Sequence, residues 1–297
     1  IMNVKTIAIL MPGDMGHACA QVFKKSGYRV VTDLTSRSER TLLLAKKCGI
    51  ENLGSLERVI LESDIILSIM PPEFSLIQAK KVSKSAQKIN KQNISYVDCN
   101  AISPMTALEL EKVFKKTNIN FIDGGIIGHN PIKENGKTRL YISGPNVRDI
   151  LQLDGKGIQI RYLDEKIGRA SAIKMTYASA TKGTFSLHAA VAITAYSLNI
   201  TEELFKEFSE SQPTILHAIE RMVPKIPLDA ARWKFEMDEI SRTFKEQGVT
   251  SKFHEGASEI MTLANNTPIA LENRENVNEN RTLIEALEMY KKAQKKQ

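Results

Sequence analysis

The first 165 residues alternate short apolar runs with amphipathic stretches, and this alternation constrains the fold more than any other feature of the sequence. The apolar runs are short and rich in branched side chains, which is typical of buried β-strands, whereas the stretches between them have the periodicity of helices. Continuous apolar strands that alternate with helices predict a mostly parallel sheet with helices on both faces, a doubly wound α/β fold. The predicted strands are residues 6–10, 29–33, 65–69, 95–98, 120–123, 139–143 and 158–162.

From Gly168 to the end of the chain the strand pattern disappears, and only helical periodicity remains. Residues 168–198 are compatible with one continuous helix about 45 Å long, at about 1.5 Å per residue, and shorter helices follow it. We therefore place a domain boundary near residue 165. The sequence predicts an α/β domain over residues 1–165 and an all-helical domain over residues 166–297.

Charge and apolar content bear on the class of partner. The chain has 41 basic and 34 acidic side chains, and its net charge of +7 favours an anionic ligand. No basic run is interleaved with aromatic residues, so we expect no binding to nucleic acid. The most apolar stretch, residues 187–198, is shorter than the roughly 18 residues that a membrane span needs. No signal sequence is visible, and we expect a cytoplasmic protein with no membrane partner.

The cysteines and histidines suggest neither disulfides nor a metal. Cys19, Cys48 and Cys99 lie far apart, and their odd number argues against a disulfide framework. No C-x-x-C spacing occurs, and no cluster of side chains has the spacing of metal ligands. We therefore expect no bound metal.

The segment Met11-Pro12-Gly13-Asp14-Met15-Gly16 joins the first predicted strand to the first predicted helix. Unpaired backbone N–H groups and the helix dipole make such a junction suitable for a phosphate. Gly13 would let the backbone approach a pyrophosphate, and Gly16 would let the helix pack close to the strand. Met11 stands where a first glycine is typical, so the turn has to be made with a side chain present. We predict that these six residues bind a dinucleotide; the alternative is a plain strand-to-helix turn.

The residues after the second predicted strand bear on which dinucleotide binds. Asp33 ends that strand about 20 residues after Gly13, where an acidic side chain binds the ribose 2′-hydroxyl of NAD. Ser36 and Arg37 follow closely, and a hydroxyl with an arginine suits the 2′-phosphate of NADP. A structural alternative is a capping box of Ser36 and Glu39 with the arginines in solvent. We favour NADP as the cofactor and keep NAD as the alternative.

Three residues lie just after the carboxyl ends of later strands. Met70 and Pro71 follow one predicted strand, and Asn100 follows the next. Open α/β sheets bind their ligands at this edge, so we expect the nicotinamide ribose and ring near these residues. Ser103 is instead predicted to be the N-cap of a helix, with Pro104 at its first position.

Five stretches that together span nearly the whole chain are residues 7–16, 97–104, 123–128, 168–183 and 232–254. In this order they resemble the β-hydroxyacid dehydrogenase superfamily, which includes 3-hydroxyisobutyrate and 6-phosphogluconate dehydrogenases. The chain is most similar to a branch with a 6-phosphogluconate dehydrogenase-like C-terminal domain of poorly defined function. The resemblance implies an N-terminal Rossmann domain, a long connecting helix, an all-helical C-terminal domain and a homodimer.

The resemblance also implies a catalytic residue. The family's catalytic helix carries a glycine followed by a lysine, here Gly168 and Lys174, and Lys174 would be the general acid/base. Hydride transfer to a carbonyl needs a proton donor, and burial beside a cationic nicotinamide lowers the pKa of a lysine toward neutrality. Ala178 stands where the family has asparagine. Helical spacing places Thr181 and Lys182 on the face of Lys174, where they would contact an anionic substrate. The alternative for Lys174 is a surface lysine.

The segment after the strand predicted at residues 120–123 resembles the family's substrate loop. Its glycines would hold a substrate anion through their backbone amides, and its polar side chains would add contacts. Ile127 stands near the position of the usual serine, so that hydroxyl contact is lost. The alternative is a strand end whose glycines adopt unusual dihedral angles. The predicted substrate contacts are Gly124, Gly125, Gly128, His129 and Asn130.

Two functions from different classes follow. The first is an NADP-dependent oxidoreductase that transfers a hydride to or from a small hydroxy acid, or its carbonyl or imine partner, with Lys174 as proton donor and acceptor. The second is a non-catalytic dinucleotide-binding protein, a sensor or scaffold that lost part of the active site. Met11, Ile127 and Ala178 favour the second function because each replaces a residue that the family uses.

Overall fold

The computed structural model describes residues 3–133 and 137–294. The chain divides into two compact units, Ile1–Met175 and Thr176–Gln297. All strands of the described residues belong to the first unit, and the regular elements of the second unit are helices. These elements confirm a Rossmann-type α/β region followed by an all-helical region.

Eight strands of the described residues form one sheet. They are β1 (Thr6–Leu10), β2 (Arg29–Thr32), β3 (Glu51–Asn52), β4 (Ile65–Ser68), β5 (Ile94–Asp98), β6 (Ile119–Ile127), β7 (Arg139–Ser143) and β8 (Gln159–Tyr162). Their order is β3-β2-β1-β4-β5-β6-β7-β8. Every neighbouring pair is parallel except β6 and β7. The strand order reverses between β1 and β4, and open α/β sheets bind their ligands at such a reversal.

Helices cover both faces of this sheet. They are α1 (Asp14–Lys25), α2 (Glu39–Cys48), α3 (Leu56–Glu62), α4 (Ser75–Ile89), α5 (Pro104–Phe114) and the single turn α6 (Arg148–Leu151). Alternate residues of β1 belong to two different buried clusters. Ile7 and Ile9 share a cluster with Phe23 of α1, whereas Ala8 and Leu10 belong to the other cluster. A strand buried on both faces is a continuous apolar run, which explains why β1 is visible in the sequence.

Three elements of the first unit, β3, α3 and the single turn α6, have no counterpart in the prediction. β3 consists of two exposed residues that pair with β2 through their backbone, so no side-chain pattern marks it. α3 has only seven residues and buries Val59 and Ile60, too few for a helical period to stand out. The predicted N-cap of α5 is confirmed, because the Ser103 side chain accepts a hydrogen bond from the Thr106 amide.

β6 is longer than predicted. The sequence places its end at Asp123 and a loop after it, and this expectation is wrong because β6 continues to Ile127. Residues 123–127 pair with β7 in an antiparallel register. Glycine weakens an isolated strand, but pairing with a neighbouring strand decides whether the segment is extended.

The long helix that was predicted over residues 168–198 is helical but not regular. It consists of α7 (Arg169–Ala178), a π-helical turn (Ser179–Gly183) and α8 (Thr184–Ser197). Hydroxyl groups satisfy carbonyls at the turn: Thr181 Oγ1 donates to Tyr177 O at 3.1 Å, and Thr184 Oγ1 donates to Ala180 O at 2.9 Å. A π turn contains an extra residue, so the regular spacing assumed for Thr181 and Lys182 does not apply.

Among the described residues of the second unit, five more α-helices follow. They are α9 (Thr201–Ser211), α10 (Pro213–Met222), α11 (Ala230–Glu246), α12 (Lys252–Asn265) and α13 (Leu283–Gln294). Fully buried side chains come from several of them, including Met237 and Ile240 of α11, Met261 of α12 and Tyr290 of α13. Within the described residues, no helix has the length and apolar character needed to cross a bilayer.

Candidate functional site

The loop after β1 makes its turn with a side chain present. Met11 has a φ of +56°, in the left-handed region, and the Gly13 amide donates to Met11 O at 2.7 Å. No described side chain caps the N-terminus of α1. A Cβ on Gly16 would lie 3.2 Å from Ile9 Cγ2 and 3.3 Å from Met11 O, so this glycine allows α1 to approach the strand closely. The loop therefore has the backbone geometry that a bound phosphate requires.

The other residues of the loop have structural contacts of their own. Pro12 is buried, and Met15 packs against the core on one face of the sheet. Asp14 forms an ion pair with Arg40 at 2.6 Å, which links the start of α1 to α2. His17 is buried, and its Nδ1 lies 2.7 Å from Gly13 O. These contacts hold the loop in place from the helix side.

A cavity of about 430 Å³ lies at the carboxyl ends of β1 and β2. We call it the adenosine cavity, because the sequence places the adenosine end of a dinucleotide here. Asp33, Ser36 and Arg37 were predicted from the sequence as binding residues, whereas Gln78 and Lys81 of α4 were not. The lining residues are Leu10, Met11, Asp33, Thr35, Ser36, Arg37, Leu56, Gln78 and Lys81. The only signal for the two missed residues is their i, i+3 spacing on α4, which is common to many helices.

Two cations and one carboxylate line the adenosine cavity. Asp33 Oδ1 accepts hydrogen bonds from Thr35 N at 2.9 Å and from Thr35 Oγ1 at 2.6 Å. The Nε of Arg37 is buried without a hydrogen-bond partner. Within the described residues, neither the Arg37 guanidinium nor the exposed Lys81 ammonium forms an ion pair. The balance of charge in the cavity therefore suits an anion.

The alternative that Ser36 caps a helix through a capping box with Glu39 is wrong. Ser38, not Ser36, is the N-cap of α2, and its side chain accepts from the Thr41 amide. Ser36 has a φ of +58°, whereas an N-cap residue is extended. Ser36 therefore remains at the rim of the cavity and is not used to start the helix.

The ends of β4 and β5 are tied together by Asn100. Its Oδ1 accepts from Met70 N at 2.6 Å, and its Nδ2 donates to Ser68 Oγ at 3.1 Å and to Asp98 Oδ2 at 2.9 Å. Pro71 follows Met70 and precedes a short 3-10 turn, Pro72–Phe74. The structure thus brings Met70 and Asn100 together at the predicted edge.

Asp98 is a buried group that the sequence analysis missed. It accepts from the backbone amide and the side-chain amide of Asn100. Burial, with a smaller contribution from the neighbouring carboxyl of Asp123, raises the pKa of Asp98 to about 7, although the hydrogen bonds from Asn100 oppose this shift. A polar residue at a strand end is the only sequence signal, and it does not separate a buried carboxyl from a solvated one.

Lys174 lies on α7 in the first unit and reaches the carboxyl end of β6. Its Nζ donates to Ile126 O at 2.6 Å. A Cβ on Gly125 would lie 2.9 Å from Ala170 O and 2.9 Å from Lys174 Cβ. Lys174 is therefore not a solvated surface lysine, because its side chain lies against β6 and its ammonium is bound to a strand carbonyl.

The predicted substrate glycines lie in different environments. Gly124 and Gly125 are inside β6 and pair with β7, so they do not form an open loop. A Cβ on Gly124 would lie 2.7 Å from Asp98 O. Gly128 has a φ of +117°, which favours glycine. This angle agrees with the alternative that the glycines of this segment serve the backbone conformation. Ile127 is buried and offers no polar group.

His129 and Asn130 follow the end of β6. His129 is exposed, and its carbonyl accepts from Thr138 Oγ1 at 2.7 Å. Asn130 Oδ1 accepts from Ile132 N at 2.8 Å. The imidazole of His129 is thus open to solvent, whereas the Asn130 side chain is used in its own turn.

In the second unit, Lys182 is bound to an acidic partner. The Lys182 ammonium forms an ion pair with Glu236 and lies 5.3 Å from the ring centre of Trp233. Arg232 also forms an ion pair with Glu236, at 2.6 Å. Burial lowers the pKa of Lys182, and the carboxylate of Glu236 opposes this shift. Lys182 therefore has a structural partner within its own unit.

The π turn also presents a hydroxyl to a histidine. Ser179 Oγ lies 2.9 Å from His254 Nε2, and burial lowers the pKa of His254. The sequence analysis assigned no role to Ser179. Among the described residues, no group of three or more His, Cys, Asp or Glu side chains has the arrangement of a metal site.

Comparisons with known proteins match both units. Residues 6–152 match the family described as the NAD binding domain of 6-phosphogluconate dehydrogenase. Residues 195–263 match a domain of unknown function, DUF1932. A protein of Methanothermus fervidus, named the uncharacterized 28.5 kDa protein in the 7S RNA 5′ region, is 30% identical over 200 residues, which are 67% of this chain and 74% of that protein.

Solved structures of dehydrogenases and reductases share the fold. The 3-hydroxyisobutyrate dehydrogenase of Mycobacterium tuberculosis, solved with L-serine, has a TM-score of 0.64 at 15% identity, over 88% of this chain and 93% of that chain. A reductive aminase of Aspergillus terreus, solved with NADPH and ethyl levulinate, has a TM-score of 0.54 at 15% identity, over 89% of this chain and 93% of that chain. The first unit is thus an NAD(P)-binding Rossmann domain, and the chain belongs to the 6-phosphogluconate dehydrogenase-like proteins, in a branch whose C-terminal region is a DUF1932 domain.

Proposed function

We propose that the protein is an NADP-dependent oxidoreductase that transfers a hydride to or from a small hydroxy acid, or its carbonyl or imine partner. The observation that carries this proposal is that one edge of the sheet has both a cavity with an unpaired arginine and the amine of Lys174. The first feature suits the phosphates of a cofactor, and the second suits proton transfer to an oxygen or nitrogen at the reacting carbon.

The residues at this edge fit a nicotinamide dinucleotide. The loop of residues 11–16 would hold the pyrophosphate through backbone amides at the start of α1, since Pro12 has no N–H and the Gly13 amide donates to Met11 O. Met70, Pro71 and Asn100 would border the nicotinamide ribose and ring. Ser36 and Arg37 would hold a 2′-phosphate, and the buried, unpartnered Nε of Arg37 supports this assignment. When bound, the cofactor supplies or accepts the hydride.

Lys174 moves the proton in the proposed reaction. Its ammonium donates to Ile126 O in the structure, so one N–H is already directed by the strand. In the reductive direction the Lys174 ammonium gives a proton to the developing alkoxide, or to the nitrogen of a reduced imine, and becomes the neutral amine. In the oxidative direction the neutral amine takes the hydroxyl proton and becomes the ammonium. A 3-hydroxyisobutyrate dehydrogenase and a reductive aminase share this fold, which supports both kinds of substrate as candidates.

The substrate contacts are proposed at the end of β6. Gly128 and the exposed imidazole of His129 are available to an anionic group, whereas Gly124 and Gly125 would contribute through backbone atoms at the strand edge. Asn130 belongs to the proposed set, although its side chain accepts a hydrogen bond within its own turn. Thr181 and Lys182 lie in the second unit, where they contact Tyr177 O and Glu236, and their role as substrate contacts stays a prediction from the sequence. A homodimer and a cytoplasmic location stay predictions from the sequence.

A second candidate function is a dinucleotide-binding protein without catalysis. The buried Ile127 favours it, because this residue stands where the family has a serine that contacts substrate. The residue Ala178 favours it in the same way, since it replaces an asparagine. Cofactor binding is common to both candidates, and turnover separates them.

The test combines cofactor titration with a substrate screen. We expect NADPH fluorescence titration to give micromolar binding that Gly13→Asp abolishes, since a carboxylate side chain would meet the pyrophosphate. We expect Lys174→Met to keep NADPH binding and to lose turnover in a screen of hydroxy acids, carbonyls and imines. If neither nicotinamide cofactor binds saturably, both candidates fail, and full turnover by Lys174→Met would remove Lys174 from the mechanism.

Cofactor preference has a test of its own. We expect Arg37→Ala to weaken NADPH binding at least about tenfold while it changes NADH binding little, because only NADPH carries the 2′-phosphate that the guanidinium would bind. Arg58→Ala, which removes an exposed arginine of α3 outside the cavity, is the matched control. Equal losses for the two cofactors would show that Arg37 does not select NADPH.

A further inference from the structure

Asp123 is a fully buried carboxylate of β6 with four hydrogen bonds. Oδ2 accepts from Ser143 Oγ, Gly168 N and Ser171 N, each at 3.0 Å, and Oδ1 accepts from Ser171 Oγ at 2.5 Å. Three of the four donors lie at the start of α7. Two of them are backbone amides of the kind that lack an acceptor within their own helix.

The start of α7 is thus capped by the sheet. An N-cap acceptor normally belongs to the residue just before the helix, whereas here it comes from a strand 45 residues earlier in the chain. Ser143 of β7 strengthens this arrangement, because its Oγ donates to Asp123 and accepts from Ala170 N at 3.2 Å. A negative charge at the positive end of the helix dipole adds an attraction that a neutral side chain does not supply.

The same strand also holds Lys174. Two residues after Asp123, Gly125 leaves the space that α7 occupies, and the next carbonyl, Ile126 O, accepts from Lys174 Nζ. Asp123 and Gly125 share one face of β6, since side chains two residues apart in a strand point the same way. The charged neighbour of Asp123 on the adjacent strand is Asp98, which stands opposite it in the β5–β6 register.

We propose that Asp123 is a positioning residue for the Lys174 amine: its carboxylate fixes the first turn of α7 to β6 so that Nζ reaches Ile126 O. This inference rests on the proposed function only in assigning proton transfer to the amine. The contacts of Asp123 and of Lys174 with the strand and the helix are observed in the structure. In Asp123→Asn one acceptor oxygen becomes an NH₂ donor, so the two amides and the Ser171 hydroxyl cannot all keep an acceptor, and the amine moves away from the strand end. Misplacement of a catalytic group by about 1 Å is enough to lower a rate about a hundredfold.

The test reads the Lys174 amine directly and needs no substrate. The protein is reductively methylated with ¹³C-formaldehyde, and the Lys174 resonance is identified as the one that Lys174→Met lacks. A dimethylated amine keeps one N–H for the bond to Ile126 O. We expect Asp123→Asn to move the chemical shift of this resonance toward those of the exposed lysines.

Two further variants make the test decisive. Ser171→Ala keeps the carboxylate and removes one of its four donors, and we expect a smaller shift in the same direction, so it serves if Asp123→Asn does not fold. Asp154→Asn is the matched control, since Asp154 also accepts a backbone amide, from Ile160, but lies outside α7 and β6. We expect no change of the Lys174 resonance in this control.

The outcomes separate this inference from the proposed function. An unchanged Lys174 resonance in Asp123→Asn and in Ser171→Ala overturns the positioning role, whatever the protein catalyses. Full turnover by Lys174→Met overturns the catalytic role of the amine and leaves the spectroscopic result standing. If both roles hold, Asp123→Asn keeps NADPH binding within about twofold and loses at least about tenfold in turnover.

Discussion

Two places along one edge of the sheet differ in whether their charged side chains have partners. At the adenosine cavity, Arg37 and Lys81 have no ion-pair partner among the described residues. At the start of α7, the carboxylate of Asp123 is fully buried and has four donors. We call this second place the α7 anchor, which comprises Asp123, Ser143, Gly168 and Ser171.

The difference separates recognition from positioning. An unpaired polar atom that is removed from water destabilises a protein, and a ligand with an acceptor group in the cavity would remove this cost. A buried carboxylate with a full set of donors needs no ligand and instead holds two elements together. The adenosine cavity is thus suited to bind, and the α7 anchor is suited to hold Lys174.

The largest expected effect tests the buried carboxyls beside the α7 anchor. Burial raises the pKa of Asp98 to about 7. A carboxyl whose pKa is higher in the folded state makes the protein less stable as pH rises from its unfolded pKa, about 3.9, to its folded pKa. Asp98→Asn has no carboxyl at this position and does not lose stability in this way. Its free energy of unfolding should therefore rise by about 3 kcal/mol relative to that of the native protein between about pH 5 and about pH 8.

Urea unfolding at several pH values measures this effect for Asp98→Asn and for Asp154→Asn, whose carboxyl is exposed. We expect the Asp154→Asn curve to run parallel to that of the native protein. Parallel curves for Asp98→Asn as well would contradict a raised pKa at this position, and the edge of the sheet would then have no buried titrating group at Asp98.

The next effect tests the close approach of α7 to β6. A Cβ on Gly125 would lie 2.9 Å from both Ala170 O and Lys174 Cβ, closer than real Cβ atoms come. We expect Gly125→Ala to lower the free energy of unfolding by about 1–3 kcal/mol, because the helix has to shift. The shift should also move the Lys174 resonance described above.

The matched control is Gly256→Ala, since Gly256 lies in α12 with no atom within 4 Å of an added Cβ. In a helix this change should increase stability by about 0.5–1 kcal/mol. Equal effects of the two substitutions, measured by urea unfolding, would mean that α7 and β6 are not closely packed at Gly125.

The smallest expected effect tests the adenosine cavity. Lys81 is exposed, so its attraction to a phosphate is screened, and we expect Lys81→Gln to weaken NADPH binding about fivefold and NADH binding hardly at all. Lys80→Gln, which removes the neighbouring exposed lysine that does not line the cavity, is the control. Equal effects of the two lysines on NADPH affinity would reduce the role of Lys81 to general surface charge.

The elements of the fold were predictable where one residue pattern carried them. β1 and β5 are buried on both faces and appear as apolar runs, and Ser103 with Pro104 marks the start of α5. β3 was missed because its two exposed residues pair only through the backbone. The end of β6 was misplaced because pairing with β7 outweighs the weak strand preference of Gly124 and Gly125.

The candidate site divides in the same way. The loop of residues 11–16 and the cation at Arg37 were predicted because they lie within a few residues of one strand end. Lys81 was not, since it reaches the adenosine cavity only because β4 lies beside β1, which brings the helix after β4 to the same place. The role of Ser36 was open in the sequence and was settled against helix capping by its positive φ.

The sequence alone determined most of the succession of strands and helices, the glycine-containing loop after β1 and the presence of a lysine on a helix that follows the sheet. These features depend on the order and spacing of side chains that are near each other in the chain. Only the tertiary structure decided that Lys174 lies against Ile126, that Asp123 caps α7, and that Lys81 and Arg37 line one cavity. Each of these pairs is separated by more than 40 residues, and strand order and helix packing, which no local pattern encodes, bring its members together.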